Sequence, residues 1–173
     1  MRLIEDGPID LDDTIQTLLP EIALDRPVTL RQLLNHTGGV PDYSTLPNYF
    51  EDVRDDPGAP WTTDEFLART LPLGFQFAPG AGWAYSNIGY LLVRLAIERV
   101  TQRSLRDLLA DLIFAPLGLR QTFVAANLGD AGGLAPGYSS DLDSDGRPLD
   151  IRARYHPGWV SHGVIISTAP ERR

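Results

Sequence analysis

The segment between Ser86 and Gln102 restricts the architecture of this chain more than any other. Apolar residues at Ile88, Leu91, Leu92, Leu95 and Ala96 recur at helical spacing, and Val93, Ile97 and Val100 widen the stripe around most of the helix. Only a narrow polar face remains, with Arg94 and Glu98 four residues apart on it. A helix of about four turns with such a surface must be enclosed by other elements. The 173 residues are enough for one domain that buries roughly 70% of its unfolded surface. With 43% hydrophobic and 22% charged residues, the composition is that of a globular domain and excludes wholesale disorder.

Capping chemistry places the elements that could supply this cover. Thr29-Leu30-Arg31-Gln32 and Thr62-Thr63-Asp64-Glu65 are capping boxes that open short helices, the first stopping before Gly38-Gly39 and the second running through Phe66, Leu67 and Leu71. Ser104 caps a further helix carrying Leu105, Leu108, Leu109, Leu112 and Ile113, broken by Pro116 and Gly118. Asp12 to Leu19 reads as a weak short helix, and residues 40–61, rich in proline and aspartate, as an irregular surface excursion. Beyond Leu119 glycine, proline and aspartate become frequent. Asp145-Gly146 is a hairpin turn signal, and Val160 to Ser167 reads as a strand.

At the ends, Arg2 to Asp6 followed by Gly7 reads as the last turn of a helix, and Thr168-Ala169-Pro170-Glu171 as the capping box of another. The chain is therefore expected to be a single partial domain, residues 1–173, cut at both ends.

All fifteen basic residues are arginine; lysine is absent. No mechanism that needs a deprotonatable side-chain amine can operate within these residues, because arginine stays protonated. Cysteine is absent too, which removes disulfides, thiolate nucleophiles and Cys-ligated zinc. The net charge of −8 disfavours nucleic acid as a partner. No apolar run approaches the ~18 residues needed to span a bilayer. No signal peptide is present in these residues, and the compartment stays open.

Candidate sites compete with simpler roles. Tyr85-Ser86-Asn87 sits between the Pro79-Gly80-Ala81-Gly82 turn and the long helix, where helix capping alone would explain the polar residues. A tyrosine there acts as a base only where neighbouring cations lower its pKa from about 10. Asp141, Asp143, Asp145 and Gly146 match the first half of a calcium loop, but Arg152 stands where the bidentate glutamate belongs, so a polar hairpin tip is the better reading. Ser161-His162-Gly163 lacks the glycine a nucleophile elbow needs, with Trp159 in its place. His36, His156 and His162 show no metal-ligand spacing and read as structural. No metal and no cofactor is expected.

Taken in order, these segments resemble the serine β-lactamase and D-Ala-D-Ala peptidase superfamily, in its class C β-lactamase and esterase-like branch. Leu3-Ile4-Glu5-Asp6-Gly7 through Asp13 is similar to the end of the nucleophile helix and the segment after it. Leu33-Leu34-Asn35-His36-Thr37-Gly38-Gly39-Val40-Pro41-Asp42-Tyr43 is similar to the family's Leu-Leu-x-His-Thr-Ser-Gly-Leu-Pro segment. Phe77-x-Pro79-Gly80, Tyr85-Ser86-Asn87-x-Gly89-Tyr90 and Pro116-Leu117-Gly118-Leu119-x-x-Thr122 complete the series.

The resemblance implies an α/β fold of which this chain holds the mostly helical subdomain with a few short strands. It also implies acyl transfer through an acyl-enzyme, on a β-lactam, a D-Ala-D-Ala peptide or a small ester. In that pattern Tyr85 shuttles a proton and Asn87 holds the substrate's amide or carbonyl. The Ser-x-x-Lys pair and the terminal Lys-Thr-Gly or His-x-Gly strand of the pattern are not in these residues, so the expectation is an inactive fragment of a serine hydrolase. Its partners would be a small-molecule or peptide substrate and, through uncovered apolar surface, other copies of itself. The alternative is a truncated, non-catalytic relative that serves as a binding module.

Overall fold

The computed structural model describes residues 2–5, 7–143 and 145–172. Met1, Asp6, Ser144 and Arg173 lie outside the described residues, and with them part of the expected N-terminal helix turn. Among the described residues, seven α-helices run in chain order: α1 Arg2–Glu5, α2 Ile15–Leu18, α3 Leu30–Leu34, α4 Pro47–Asp55, α5 Thr63–Thr70, α6 Asn87–Thr101 and α7 Leu105–Leu109. The described residues from 123 onward form four short strands: β1 Phe123–Ala125, β2 Tyr138–Ser139, β3 Leu149–Asp150 and β4 Val164–Ile166.

α6 is the axis of the fold. Ser86 caps it through its hydroxyl, which accepts from the Gly89 N–H, and Gln102 ends it in the left-handed region at φ 53°. Ile88, Leu91, Leu92 and Ala96 are fully enclosed, as the width of the apolar stripe requires. α3 packs along α6 and contributes buried Leu30 and Leu33. Two of the three expected capping boxes form, Thr29 with Gln32 on α3 and Thr62 with Glu65 on α5. The cap residues of α2 and α3, Thr14 and Thr29, also face each other across an antiparallel bridge, with Ile15 N–H on the Val28 carbonyl at 2.9 Å.

Four expectations are corrected. Residues 40–61 are not an irregular excursion: a 3-10 turn at Tyr43–Thr45 leads into α4, which buries Tyr49 and Val53, four residues apart on one face. Pro47 opens that helix, where its missing N–H costs nothing. α2 starts only at Ile15, because the carboxylates of Asp10 and Asp13 take the backbone N–H groups of Asp12 and Asp10, respectively, and hold a turn there.

The expected strand from Val160 shrinks to β4. Gly163, at φ +109°, donates to the Val160 carbonyl and turns the chain before pairing begins. Finally, Glu171 makes no capping box. Its carboxylate crosses to the Gln121 N–H and the Thr122 hydroxyl, and residues Ala169–Arg172 form a 3-10 turn.

The strands make two antiparallel pairs. β1 lies on β4 with Val124 opposite Ile165, and β2 lies on β3 as a hairpin with Asp145-Gly146 at its tip. Asp143 braces that tip by accepting the Arg147 N–H at 2.7 Å. α7 opens on the expected Ser104 cap but widens into a π turn over Ala110–Phe114, with Ala115 N–H reaching the Ala110 carbonyl. Pro116 cannot donate to the Leu112 carbonyl, so the last turn rearranges before Gly118 ends it at φ +68°.

An aromatic cluster of Tyr43, Tyr49, Trp61, Phe66 and Trp159 ties the C-terminal segment to α4 and α5. Trp159 is 1% exposed; its indole N–H donates to the Pro57 carbonyl, and its own carbonyl accepts from the Tyr49 hydroxyl.

Candidate active site

Two stretches distant in sequence meet edge to edge at the start of α6. Gln76 N–H bonds to the Gly39 carbonyl, Gly80 N–H to Thr37, and Ala84 N–H to His36, at 2.8, 2.8 and 3.1 Å. The contact is close enough that a Cβ on Gly39 would sit 2.2 Å from the Phe77 carbonyl oxygen, and Gly39 itself has φ +70°. Only glycine fits both demands. The motif pieces that are weak one by one in the sequence are thus neighbours in the fold.

This seam delivers Tyr85, Ser86 and Asn87 to the end of a fifteen-residue helix. Ser86 is a buried cap, its hydroxyl donating to the Pro41 carbonyl at 2.9 Å. His36, a non-glycine residue at φ 61°, accepts the Ser86 N–H on Nδ1 and stacks its ring on Tyr85 and Tyr90, with centroids 4.5 and 5.0 Å away. It is a structural prop, as the sequence reading has it.

Tyr85 stands half-exposed with its hydroxyl 3.3 Å from Asn87 Oδ1, to which it donates. Asn87 is the first residue of α6. The pair therefore offers an accessible phenol and an amide beside the positive end of a helix macrodipole.

A third residue completes this corner, and the sequence offers it only as one member of the Leu33–Tyr43 segment. Asp42 is 5% exposed and accepts both the backbone N–H and the Nδ2–H of Asn87, at 2.8 and 3.2 Å, and is bonded by the Ser44 hydroxyl. Nothing in the sequence around Asp42 signals this, because its partner Asn87 is 45 residues away.

The remaining candidates lie elsewhere. Ser161 is 5% exposed and its hydroxyl makes no hydrogen bond, so no elbow presents it for attack. His156 caps a 3-10 turn by accepting the Gly158 N–H. Arg152 pairs with Asp150 and leaves no glutamate for a calcium loop. Among the described residues, no three metal-ligating side chains come together and no helix is long and apolar enough to cross a membrane.

His162 contacts the ring of Tyr90, and its Nδ1 is buried without a partner. Burial holds its pKa below the usual histidine value. The Arg94 charge adds to this, the carboxylate of Asp42 opposes it, and His36 contributes in the same direction as Arg94.

A lowered histidine pKa makes the fold less stable in acid. Above about pH 6.5 both folded and unfolded forms are neutral at this residue, and as the pH falls below that value the unfolded chain takes up a proton that the folded chain refuses. Stability should therefore decline from about pH 6.5 downward, before the lowered carboxylates of Glu65, Asp150 and Glu171 begin to titrate. Urea midpoints at pH 7 and pH 5.5 measure this slope, and His162→Gln should flatten it.

Comparison with known proteins places the chain in a family. A family model described as Beta-lactamase matches residues 1–171. The chain belongs to the beta-lactamase family. It is 34% identical over 122 residues to penicillin-binding protein 4* of Bacillus subtilis (strain 168), an alignment covering 70% of this chain and 26% of that protein. It superposes on a D-stereospecific amidohydrolase from Streptomyces sp. with a TM-score of 0.83 and 28% identity, covering 98% of this chain and 53% of that one. An octameric penicillin-binding protein homologue from Pyrococcus abyssi gives a TM-score of 0.73 at 27% identity, over 99% of this chain and 39% of the other. The chain spans about half or less of the length of these relatives. The architecture of α/β β-lactamase-like proteins, here a mainly helical portion with a few short strands, is thereby established.

Proposed function

We propose that this chain carries the tyrosine–asparagine half of an acyl-transfer site in a β-lactamase-family serine hydrolase. Tyr85 passes the proton between a serine nucleophile and the leaving group, and Asn87 holds the carbonyl or amide of the bound substrate. The observation that carries the reading is the pairing of an accessible phenol with an amide, 3.3 Å apart, at the N-terminus of α6. The substrate is a β-lactam, a D-Ala-D-Ala peptide, a small ester or a D-configured amide; the last is suggested by the name of the Streptomyces amidohydrolase. The nucleophilic serine and its lysine are not among these 173 residues, which on this proposal form one partial domain.

The test has two arms. The 173-residue chain alone, incubated with benzylpenicillin or a fluorophosphonate, should show no adduct by intact mass, because no lysine is present to activate a serine. A chimera in which this chain replaces the superposed stretch of the Streptomyces amidohydrolase should be acylated by the fluorophosphonate. In that chimera Tyr85→Phe should slow acylation by about 10²-fold and Asn87→Ala by a similar factor. A stoichiometric adduct on the isolated chain, or acylation indifferent to both substitutions in a folded chimera, would overturn the reading.

Self-association belongs to the same proposal. A groove of 270 Å³ floored by Leu3, Ile4, Ile9, Val93, Ile97 and Leu112 is almost wholly apolar, and the Pyrococcus relative is octameric. Sedimentation of the chain at rising concentration should reveal species larger than a monomer; a constant monomer mass would count against it.

A further inference from the structure

We infer that Asp42 is a positioning residue that sets which end of the Asn87 amide faces Tyr85. This rests on the reading of Tyr85 and Asn87 given above. Asp42 reaches them from the segment between α3 and α4, and it is enclosed at 5% exposure. One carboxylate oxygen takes the Asn87 backbone N–H at 2.8 Å; the other takes the Nδ2–H at 3.2 Å and the Ser44 hydroxyl. A carboxylate accepts and does not donate, so only the NH₂ end of the amide can lie on its side. The carbonyl end is forced outward, where the Tyr85 hydroxyl donates to it.

This geometry prepares the amide for a ligand. Its orientation is decided by a buried charge before any ligand arrives, so it costs nothing to reorganise on binding. The second Nδ2 hydrogen has no partner among the described residues, which leaves it for a substrate carbonyl. The negative group also sits at the first turn of α6, where the helix dipole favours it. Without Asp42 both amide orientations could satisfy Tyr85, because a hydroxyl donates or accepts equally well.

The decisive variant is Asp42→Asn, which keeps shape and changes hydrogen-bonding character. If the new amide keeps its oxygen on the Asn87 backbone N–H, its own NH₂ group faces Asn87 Nδ2, donor against donor. Asn87 should then flip, presenting Oδ1 to residue 42 and Nδ2 to Tyr85. The 173-residue chain has four asparagines, so the Nδ2 resonances can be assigned with an Asn87→Ala reference.

In the wild-type chain, no cross-peak is expected between the Asn87 Nδ2 hydrogens and the Tyr85 ring hydrogens beside the hydroxyl. In a folded Asp42→Asn chain it should appear, while Ser44→Ala should leave it absent. A merely structural aspartate would move stability and not this cross-peak. A strong cross-peak already present in the wild type would overturn the inference even if Asp42→Asn failed to fold. So would its absence from a folded Asp42→Asn chain. Indifference of the chimera's acylation to both Tyr85→Phe and Asn87→Ala would instead sink the functional reading and leave this geometry standing.

Discussion

Replacing Trp159 by alanine should cost about 3–5 kcal/mol of folding stability, a large share of the roughly 5–15 kcal/mol typical of a natural domain. The indole is the largest fully buried side chain, 1% exposed, and its ring lies 5.9 Å from Tyr49 and 5.8 Å from Trp61. Alanine would leave a cavity that the rigid aromatic neighbours cannot close, and would strand the Pro57 carbonyl that the indole N–H now satisfies at 3.1 Å. Urea denaturation followed by circular dichroism measures the loss. Trp83→Ala supplies the contrast: Trp83 is 66% exposed, and its removal should shift stability by no more than about 0.5 kcal/mol.

Gly39→Ala should cost at least about 3 kcal/mol, by a different route. The left-handed backbone at φ +70° costs about 1–2 kcal/mol for any residue with a Cβ. The new methyl would also lie 2.2 Å from the Phe77 carbonyl oxygen, and a backbone atom cannot swing aside as a flexible side chain can. The two strips must part, and the bond from Gln76 N–H to the Gly39 carbonyl must break. Gly118→Ala isolates the first contribution, because Gly118 has φ +68° but open space around it. It should cost about 1–2 kcal/mol only. Equal losses for the two substitutions would show that the close approach at Phe77 is not what fixes the seam.

Much of the helical framework was legible because its signals are local. Thr29, Thr62, Ser86 and Ser104 each cap the helix that the sequence assigns to them, and a cap needs only the next three residues to be recognised. α4 was missed for the opposite reason. The prolines and aspartates in and around it look like loop chemistry, while the aromatic residues that bury it depend on a tryptophan 110 residues away along the chain.

The same distinction runs through the candidate site. Tyr85 and Asn87 stand out as a motif, and the structure brings them within hydrogen-bond reach. Asp42 carries no local mark of its function, since an aspartate after a proline is an ordinary turn residue until the fold sets it against Asn87. The shortened strand β4 shows the limit on the other side. β-branched composition predicts extended backbone, but the turn at Gly163 decides where pairing can start.

The slot filled by Trp159 also imposes a timetable. Tyr49 leaves the ribosome 110 residues ahead of the residue that completes its surroundings. At the usual rate of roughly 5–20 residues per second, the half-built cluster of Tyr43, Tyr49, Trp61 and Phe66 waits roughly 5–19 s for its last member. Hydrophobic collapse of a chain this size takes well under a millisecond. The nascent chain therefore passes through a long interval with a sticky aromatic slot open to solvent, and its yield in a cell depends on what shields that slot until the tryptophan arrives.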